Sequence, residues 1–159
     1  VIPDQVELQL TLRSYTDEVR QAVIDKIKRI CNGVAMSAGL PEDQYPTVKL
    51  RDETTPSTFN EPELTDRLQE VFTAALGEQQ VTEVPPVMGG EDFAMYSRTE
   101  EEVPGLLFWL GAVPTEKIAA AKRGEIELPS LHNAGFAPDP KPTITNGVIA
   151  MTAAVLELL

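Results

Sequence analysis

The sequence predicts an incomplete α/β fold, and three features of the chain lead to this prediction. Residues 5–13 alternate between apolar and polar side chains, as a strand with one buried face does. A helical pattern and a second strand pattern, over 47–52, follow it. Residues 105–111 are continuously apolar, as expected of a strand covered on both faces of an α/β sheet. Two strands and a helix cannot close a core, so further strands must come from upstream residues or another subunit.

The first helix is predicted to begin at Thr16 or Asp17, because either side chain can cap a helix. Gly39 followed by Pro41 predicts its end. Apolar residues recur between these points at helical spacing. They are Val19, Val23, Ile27, Ile30 and Val34.

A second helix is predicted from a capping pair formed by Asn60 and Glu63, with Pro62 in the first turn, to Gly77. A short strand follows at 81–84. Two glycines before Glu91 and Asp92 then indicate a tight turn that enters a short helix. The predicted buried stripe of the second helix consists of Leu64, Leu68, Val71, Phe72 and Ala75.

The last part of the chain is predicted to hold a short surface helix over 115–123, ended by Gly124, and a final amphipathic helix over 143–159. Residues 54–58 have the composition of a linker, so a domain boundary is expected near them. Residues 1–55 form a small α+β piece, and residues 56–159 form part of a layered α/β domain. The predicted apolar stripe of the final helix consists of Ile144, Val148, Met151, Val155 and Leu158 or Leu159.

The composition fits a soluble globular protein, with 42% apolar and 24% charged residues. The 25 acidic residues outnumber the 13 Lys and Arg, giving a net charge of −12. Nucleic acids and anionic membranes need a basic face, so neither is an expected partner. The single cysteine, Cys31, permits no intrachain disulfide, and a reducing, cytoplasmic compartment is the simpler expectation.

His132 is the only histidine and lies among turn-forming residues. A neutral imidazole is the side chain that proteins use most often as a metal ligand. His132 is therefore either a surface or locally hydrogen-bonded residue or one ligand of a metal ion. Because a metal site needs three or four protein ligands, most of such a site would lie elsewhere.

Glu91 and Asp92 form a second candidate site. Acidic residues at this position can cap a helix or take part in chemistry, and the two glycines before them let a ligand approach the backbone. Arg13 can bind a substrate carboxylate or be the solvated end of a strand.

Several short stretches occur in a fixed order along the chain: Val1-Ile-Pro-Asp4 with Leu10-Thr-Leu-Arg-Ser14, Met88-Gly-Gly-Glu-Asp-Phe93, Pro104-Gly105 with Leu110-Gly111, and Leu131-His132 with Phe136. As an ordered set they resemble the C-terminal portion of the amidohydrolase branch of the aminoacylase/carboxypeptidase metallopeptidases. That branch includes hippurate hydrolases, N-acyl-amino-acid amidohydrolases and indole-acetyl-amino-acid hydrolases.

The resemblance implies a catalytic α/β domain with an inserted lid domain that commonly dimerises. Residues 1–55 would be the second half of the lid, and residues 56–159 the closing segment of the catalytic domain. The intact enzyme would hold two zinc, manganese or nickel ions that activate water for attack on an amide carbonyl. His132 would be one metal ligand. Gly90 and Glu91 would lie beside the substrate pocket, and Asp92 would be a structural cap.

The same resemblance places the other metal ligands and the catalytic glutamate outside this chain, so no catalytic residue is expected within it. We expect the chain alone to bind metal weakly or not at all and to be inactive. The intact protein is expected to hydrolyse small N-acyl amino acids and to form a homodimer through the lid half. Two alternatives remain open: a non-enzymatic α+β module for dimerisation or ligand binding, and a regulatory subunit that borrows a partner's active site.

Overall fold

The computed structural model describes residues 3–159, so Val1 and Ile2 of the first matching stretch lie outside the described residues. The described part of the chain is mostly helical. Its α-helices are α1 (Asp17–Ser37), α2 (Pro62–Leu76), α3 (Thr115–Lys122) and α4 (Pro140–Leu158). Short 3₁₀ helices span Glu42–Gln44, Glu78–Gln80 and Asp92–Arg98. No helix within residues 3–159 offers an apolar stretch that would span a lipid bilayer.

The described residues fall into two compact units, and each unit combines two separate segments. The first unit contains the residues up to Phe59 together with Pro85–Gly105. The second unit contains Asn60–Val84 together with Leu106–Leu159. The division into 1–55 and 56–159 stays a prediction, since compact units within this chain do not test how a longer protein divides.

The predicted ends of α1 are confirmed. The Thr16 hydroxyl accepts a hydrogen bond from the Val19 N–H at 3.2 Å and satisfies one free amide of the first turn. Gly39 follows the helix with a φ of +70°, which glycine adopts without strain.

The four predicted strands do not form in the part of the chain that the structure describes. The segments 5–13, 47–52, 81–84 and 105–111 contain neither helix nor sheet pairing. A strand is stable only when a neighbour takes up its N–H and C=O groups, and here no neighbouring strand does so. The apolar face of 5–13 is correspondingly exposed, with Leu8 at 81%. The α/β fold class is not confirmed; a mostly helical structure remains compatible with a fragment of an α/β domain.

The predicted capping pair of α2 is wrong in its residues. The Glu61 carboxylate caps the helix by accepting from the N–H groups of Glu63 and Leu64, at 3.1 and 2.7 Å. Asn60 instead bonds to both backbone groups of Leu107, accepting from its N–H at 2.8 Å and donating to its C=O at 2.9 Å. The amide side chain of Asn60 thus satisfies the two groups that a neighbouring strand would satisfy in a sheet.

The core of the second unit lies between α2 and α4. Its buried residues are Leu68 and Phe72 from α2 and Ala150 and Ala154 from α4. The rings of Phe72 and Phe108 pack with their centroids 5.0 Å apart. Small residues on α4 let the helices approach closely, because a side chain longer than that of alanine would meet α2. Partly buried residues surround this core: Leu64, Val71, Leu76, Val81, Leu106 and Phe108.

Two of the predicted apolar stripes do not form the buried faces of their helices. In α1 the buried residues are Ile24 and Ala35, and three members of the predicted stripe, Val19, Ile30 and Val34, are exposed. In α4 the small residues form the buried face, and the predicted stripe of large residues is exposed. A stripe of large apolar residues shows which face of a helix favours burial, but the available partners decide which face is buried.

Candidate functional site

The segment around Gly89 and Gly90 is held by hydrogen bonds to residues just before α1. The Arg13 guanidinium donates to the Met88 carbonyl at 2.6 Å, and the Tyr15 hydroxyl donates to the Pro86 carbonyl at 3.3 Å. Arg13 is exposed, and no strand forms around it in the described residues; its expected role as a carboxylate ligand stays a prediction. Its side chain fixes the backbone that leads into the two glycines.

Glu91 occupies the N-cap of the 3₁₀ helix Asp92–Arg98. Its carboxylate accepts a hydrogen bond from the Phe93 N–H at 3.2 Å, and its backbone carbonyl accepts one from the Thr58 hydroxyl at 3.5 Å. The capping role expected of Asp92 thus belongs to Glu91, because the residue just before the first turn faces its free amides. A pocket role for Gly90 and Glu91 stays a prediction. No heavy atom lies within 4 Å of the place that a Gly90 Cβ would occupy, so the backbone there is open.

An ion pair joins the far end of this 3₁₀ helix to the first turn of α1. The Arg98 guanidinium donates to the Asp17 carboxylate at 2.6 Å. This hydrogen bond, together with the positive charge of Arg98, holds the pKa of Asp17 below its ordinary value. Both side chains are exposed, so the pair orders the segment more than it stabilises the fold.

We expect replacement of Arg98 by methionine to raise the pKa of Asp17 toward its ordinary value, as measured by an NMR titration of the carboxyl group. The pKa of the Asp17 carboxyl group is lower in the folded than in the unfolded chain. The pair therefore contributes stability above the ordinary carboxyl pKa, and that contribution is lost as the pH falls through the lowered value. Arg123→Met removes a comparable exposed pair, with Glu125, and should leave Asp17 unchanged. An Asp17 titration that Arg98→Met does not move would contradict this assignment.

His132 lies exposed in a tight turn of the second unit. The Asn133 N–H closes the turn by donating to the Ser130 carbonyl at 3.1 Å. His132 has a φ of +65°, in the left-handed region that few residues other than glycine enter, although histidine does so more readily than most. Such a conformation costs on the order of 1–3 kcal/mol and persists only where the surroundings impose it.

The residues after His132 hold this turn in place. The Asn133 side-chain oxygen accepts from the Gly135 N–H at 2.8 Å, and the Asn133 carbonyl accepts from the Phe136 N–H at 2.9 Å. The Asp139 N–H donates to the Ala112 carbonyl at 2.8 Å just before α4 begins. The imidazole is thus presented to solvent from a backbone that is fixed on its C-terminal side.

The donor groups in this chain do not by themselves complete a metal site. Across residues 3–159, no group of three or more His, Cys, Asp and Glu side chains is placed to hold an ion. His132 can offer one neutral imidazole nitrogen, whereas a protein site needs three or four ligands. Any metal bound through His132 would need further ligands from outside the described residues.

The structure describes the candidate residues in two separate groups. Gly90 and Glu91 belong to the first unit, and His132 belongs to the second. No sequence pattern indicates the contacts that Tyr15, Asp17 and Arg98 make with the segment around the glycines and the 3₁₀ helix after it. Their partners lie 71 to 81 positions away along the chain, so no local pattern reports these contacts.

Comparison with protein families identifies one that covers most of the chain. Residues 6–135 match the model described as "Peptidase family M20/M25/M40". The matched range contains all three candidate residues: Gly90, Glu91 and His132.

Curated relatives match the chain over part of their own length. The chain is 34% identical over 111 residues to thermostable carboxypeptidase 2 of Saccharolobus solfataricus, which covers 70% of this chain and 26% of that protein. It is 36% identical over 120 residues to N-acetylcysteine deacetylase of Bacillus subtilis, which covers 74% of this chain and 28% of that protein. It is 32% identical over 115 residues to N-acetyldiaminopimelate deacetylase of Streptococcus suis, which covers 70% of this chain and 28% of that protein.

The chain therefore corresponds to little more than a quarter of the length of these relatives. None of the solved structures matches it.

Proposed function

The chain belongs to peptidase family M20/M25/M40, whose members are metal-dependent hydrolases, and from that premise we propose that it forms part of an amidohydrolase acting on N-acyl amino acids. The proposed reaction is hydrolysis of the amide bond of the substrate, which yields a carboxylic acid and an amino acid. In such enzymes a bound pair of divalent ions polarises the amide carbonyl and makes water nucleophilic at neutral pH.

The substrate class in this proposal is a small N-acyl amino acid. Support comes from two relatives whose names state N-acetylcysteine and N-acetyldiaminopimelate as substrates. N-benzoyl and indole-acetyl amino acids belong to the same substrate class. Hydrolysis rates measured on a panel of N-acyl groups would show which acyl group the enzyme prefers.

His132 supplies one metal ligand in this proposal. Three observations support the assignment: the imidazole is exposed, its turn is held by hydrogen bonds that Asn133 accepts from the Gly135 and Phe136 N–H groups, and its backbone lies in a costly left-handed conformation. Residues in such conformations cluster at functional sites, where the strain holds a side chain in a required direction. The zinc, manganese or nickel ion would take its remaining ligands from other parts of the protein.

Gly90 and Glu91 line the substrate pocket in the same proposal. The hydrogen bonds from Arg13 and Tyr15 fix the backbone just before Gly90, and the open space at Gly90 leaves room for a substrate. Because the Glu91 carboxylate already accepts from the Phe93 N–H, it would orient the segment instead of acting as a base.

The isolated chain is proposed to be inactive, and a chimera tests the whole assignment. In this chimera the chain replaces the matched region of the Bacillus subtilis N-acetylcysteine deacetylase. With divalent metal, the chimera should hydrolyse N-acetyl amino acids, whereas the isolated chain should not. A folded, metal-loaded chimera without turnover would contradict the enzymatic proposal and favour a non-enzymatic dimerisation or ligand-binding module. Turnover by the chain alone would contradict its inactivity.

A homodimer formed through the lid half, 1–55, and a cytoplasmic location complete the proposal. The exposed apolar side chains of Val6, Leu8 and Leu10 support a surface that pairs with another chain.

A further inference from the structure

Three residues just before and at the start of α1 contact the stretch of chain that contains Gly89 and Gly90. Arg13, Tyr15 and Asp17 are spaced two positions apart. The first two donate hydrogen bonds to backbone carbonyls at 2.6 and 3.3 Å, and the third accepts one from a guanidinium at 2.6 Å. Their partners, in the same order, are Met88, Pro86 and Arg98. All three contacts therefore hold one stretch, residues 86–98, which we call the glycine segment.

The three contacts lie on both sides of the two glycines. The hydrogen bonds of Arg13 and Tyr15 lie before the glycines, and the ion pair of Asp17 with Arg98 lies after them. Glycine has more backbone freedom than any other residue, because it has no Cβ. No heavy atom lies within 4 Å of the place that a Cβ of Gly90 would occupy, so neighbouring side chains do not fix this position by packing. The position of the glycines therefore depends on the contacts at both ends of the glycine segment.

The 3₁₀ helix Asp92–Arg98 connects the ion pair to Glu91. Ala94 in this helix is 2% exposed, and the ring of Phe93 lies so close to Gly105 that an added Cβ there would be 3.3 Å from the Phe93 Cε1 atom. The Phe93 N–H also donates to the Glu91 carboxylate at 3.2 Å. A short helix packed in this way moves as a rigid unit, so a restraint on its last residue also limits the position of Glu91.

The compact units of the structure group the glycine segment with the predicted lid half. Pro85–Gly105 belongs to the same unit as the residues up to Phe59, although the predicted boundary after residue 55 separates them. The Asp17–Arg98 pair is a contact across that predicted boundary, between positions 81 apart. His132 belongs to the other unit. The candidate pocket residues are thus grouped with α1, and the candidate metal ligand is not.

We propose that Asp17 and Arg98 are positioning residues for the substrate. Their ion pair holds the glycine segment in the arrangement that binds the N-acyl amino acid, and neither side chain contacts the substrate itself. Without the pair, the glycines would be held only on the side before them, and the substrate would bind more weakly. The inference rests on the proposed function, because it takes Gly90 and Glu91 to be the residues that meet the substrate.

The test measures steady-state kinetics in the chimera with the Bacillus subtilis deacetylase, with N-acetylcysteine as the substrate. Asp17→Asn and Arg98→Met should each raise KM about three- to fivefold, which corresponds to the loss of one exposed ion pair. The value of kcat should change by less than about twofold, because a binding interaction that is equal in the ground and transition states affects KM alone. The double variant should resemble either single variant, since each substitution removes the same pair.

Conservative and matched variants separate positioning from structural damage. Arg98→Lys should keep KM within about twofold, because the pair consists essentially of one bond: the second nitrogen–oxygen distance, between Nη2 and Oδ1, is 3.5 Å. Glu18→Gln removes a charge from the same turn of α1, and Arg123→Met removes an exposed ion pair of the second unit; both should leave KM unchanged. The melting temperatures of all variants should stay nearly equal, because exposed ion pairs add little stability.

A second measurement does not need turnover. NMR relaxation of the chain alone reports the backbone order parameters of Gly89 and Gly90. In Asp17→Asn and Arg98→Met these should fall below about 0.6, a value typical of flexible backbone, whereas the two control variants should retain the order parameters of the unaltered chain.

Two results would overturn the proposal. The first is that Asp17→Asn and Arg98→Met change either KM or the order parameters no more than the controls do. The second is a double variant whose KM is raised by the product of the two single effects, since the two residues would then act separately. A folded, metal-loaded chimera of the unaltered chain without turnover would count against the proposed activity, and the order parameters would then decide whether the pair positions the glycine segment.

Discussion

Replacing His132 by asparagine is expected to lower the hydrolysis of N-acetyl amino acids by the chimera more than about 100-fold, because loss of a residue that only supports a metal ligand already costs 10–100-fold. An asparagine side chain does not provide the imidazole nitrogen that the proposal assigns to the metal. Asparagine does accept the left-handed backbone of this turn, so the loss would not arise from a broken turn. Steady-state rates and the metal content of the purified protein measure the two consequences together.

Two control variants separate ligand loss from local unfolding. Glu127→Gln changes an exposed side chain of the same loop and should keep full activity. His132→Gly also removes the imidazole but relieves the positive φ, so its loss of activity should equal that of His132→Asn while its thermal stability is no lower. Full activity and full metal content in His132→Asn would remove His132 from the metal site.

Replacing Phe72 by alanine is expected to lower the free energy of unfolding of the second unit by about 3–5 kcal/mol, the usual cost of removing a buried aromatic ring. Phe72 is buried between α2 and α4 and packs against Phe108 at 5.0 Å. Whole domains have only about 5–15 kcal/mol of stability, so this change should remove a large share of it. Urea unfolding followed by circular dichroism at 222 nm measures the loss, since α2 and α4 lose their helix together.

Phe59→Ala is the matched control for this prediction. The same ring is removed, but Phe59 is 72% exposed, so the free energy of unfolding should change by no more than about 0.5 kcal/mol. Equal effects of the two substitutions would mean that the α2–α4 contact does not hold the second unit together.

The helix ends show how far local sequence patterns reach in this protein. Thr16 and Gly39 bound α1 as predicted, and Gly77 and Gly124 follow α2 and α3 with positive φ. A cap and a left-handed glycine act on backbone groups within four residues, so the local sequence contains all the information that they need. The cap of α2 is the exception. Asn60 is a residue type that caps helices well, but its side chain is hydrogen-bonded to the backbone of Leu107, a residue 47 positions away.

The candidate site divides in the same way. The sequence identified His132 from its residue type and Gly90 and Glu91 from the glycines and acids around them. It did not identify Arg13 and Arg98 as the residues that hold the glycine segment. Both bonds join positions more than seventy residues apart, and any exposed arginine could have made them.

The sequence by itself determined the family, the positions of the long helices and which residues are candidates for binding a metal or a substrate. These depend on residue type and on spacing over a few positions, which the chain carries directly. Tertiary structure decided which helix faces are buried and whether the strand-like segments pair. Burial and pairing each need a second surface, and residues 5–13 and the exposed apolar face of α4 have none among the described residues. The apolar pattern of a segment shows that it favours a partner, and only the folded assembly supplies one.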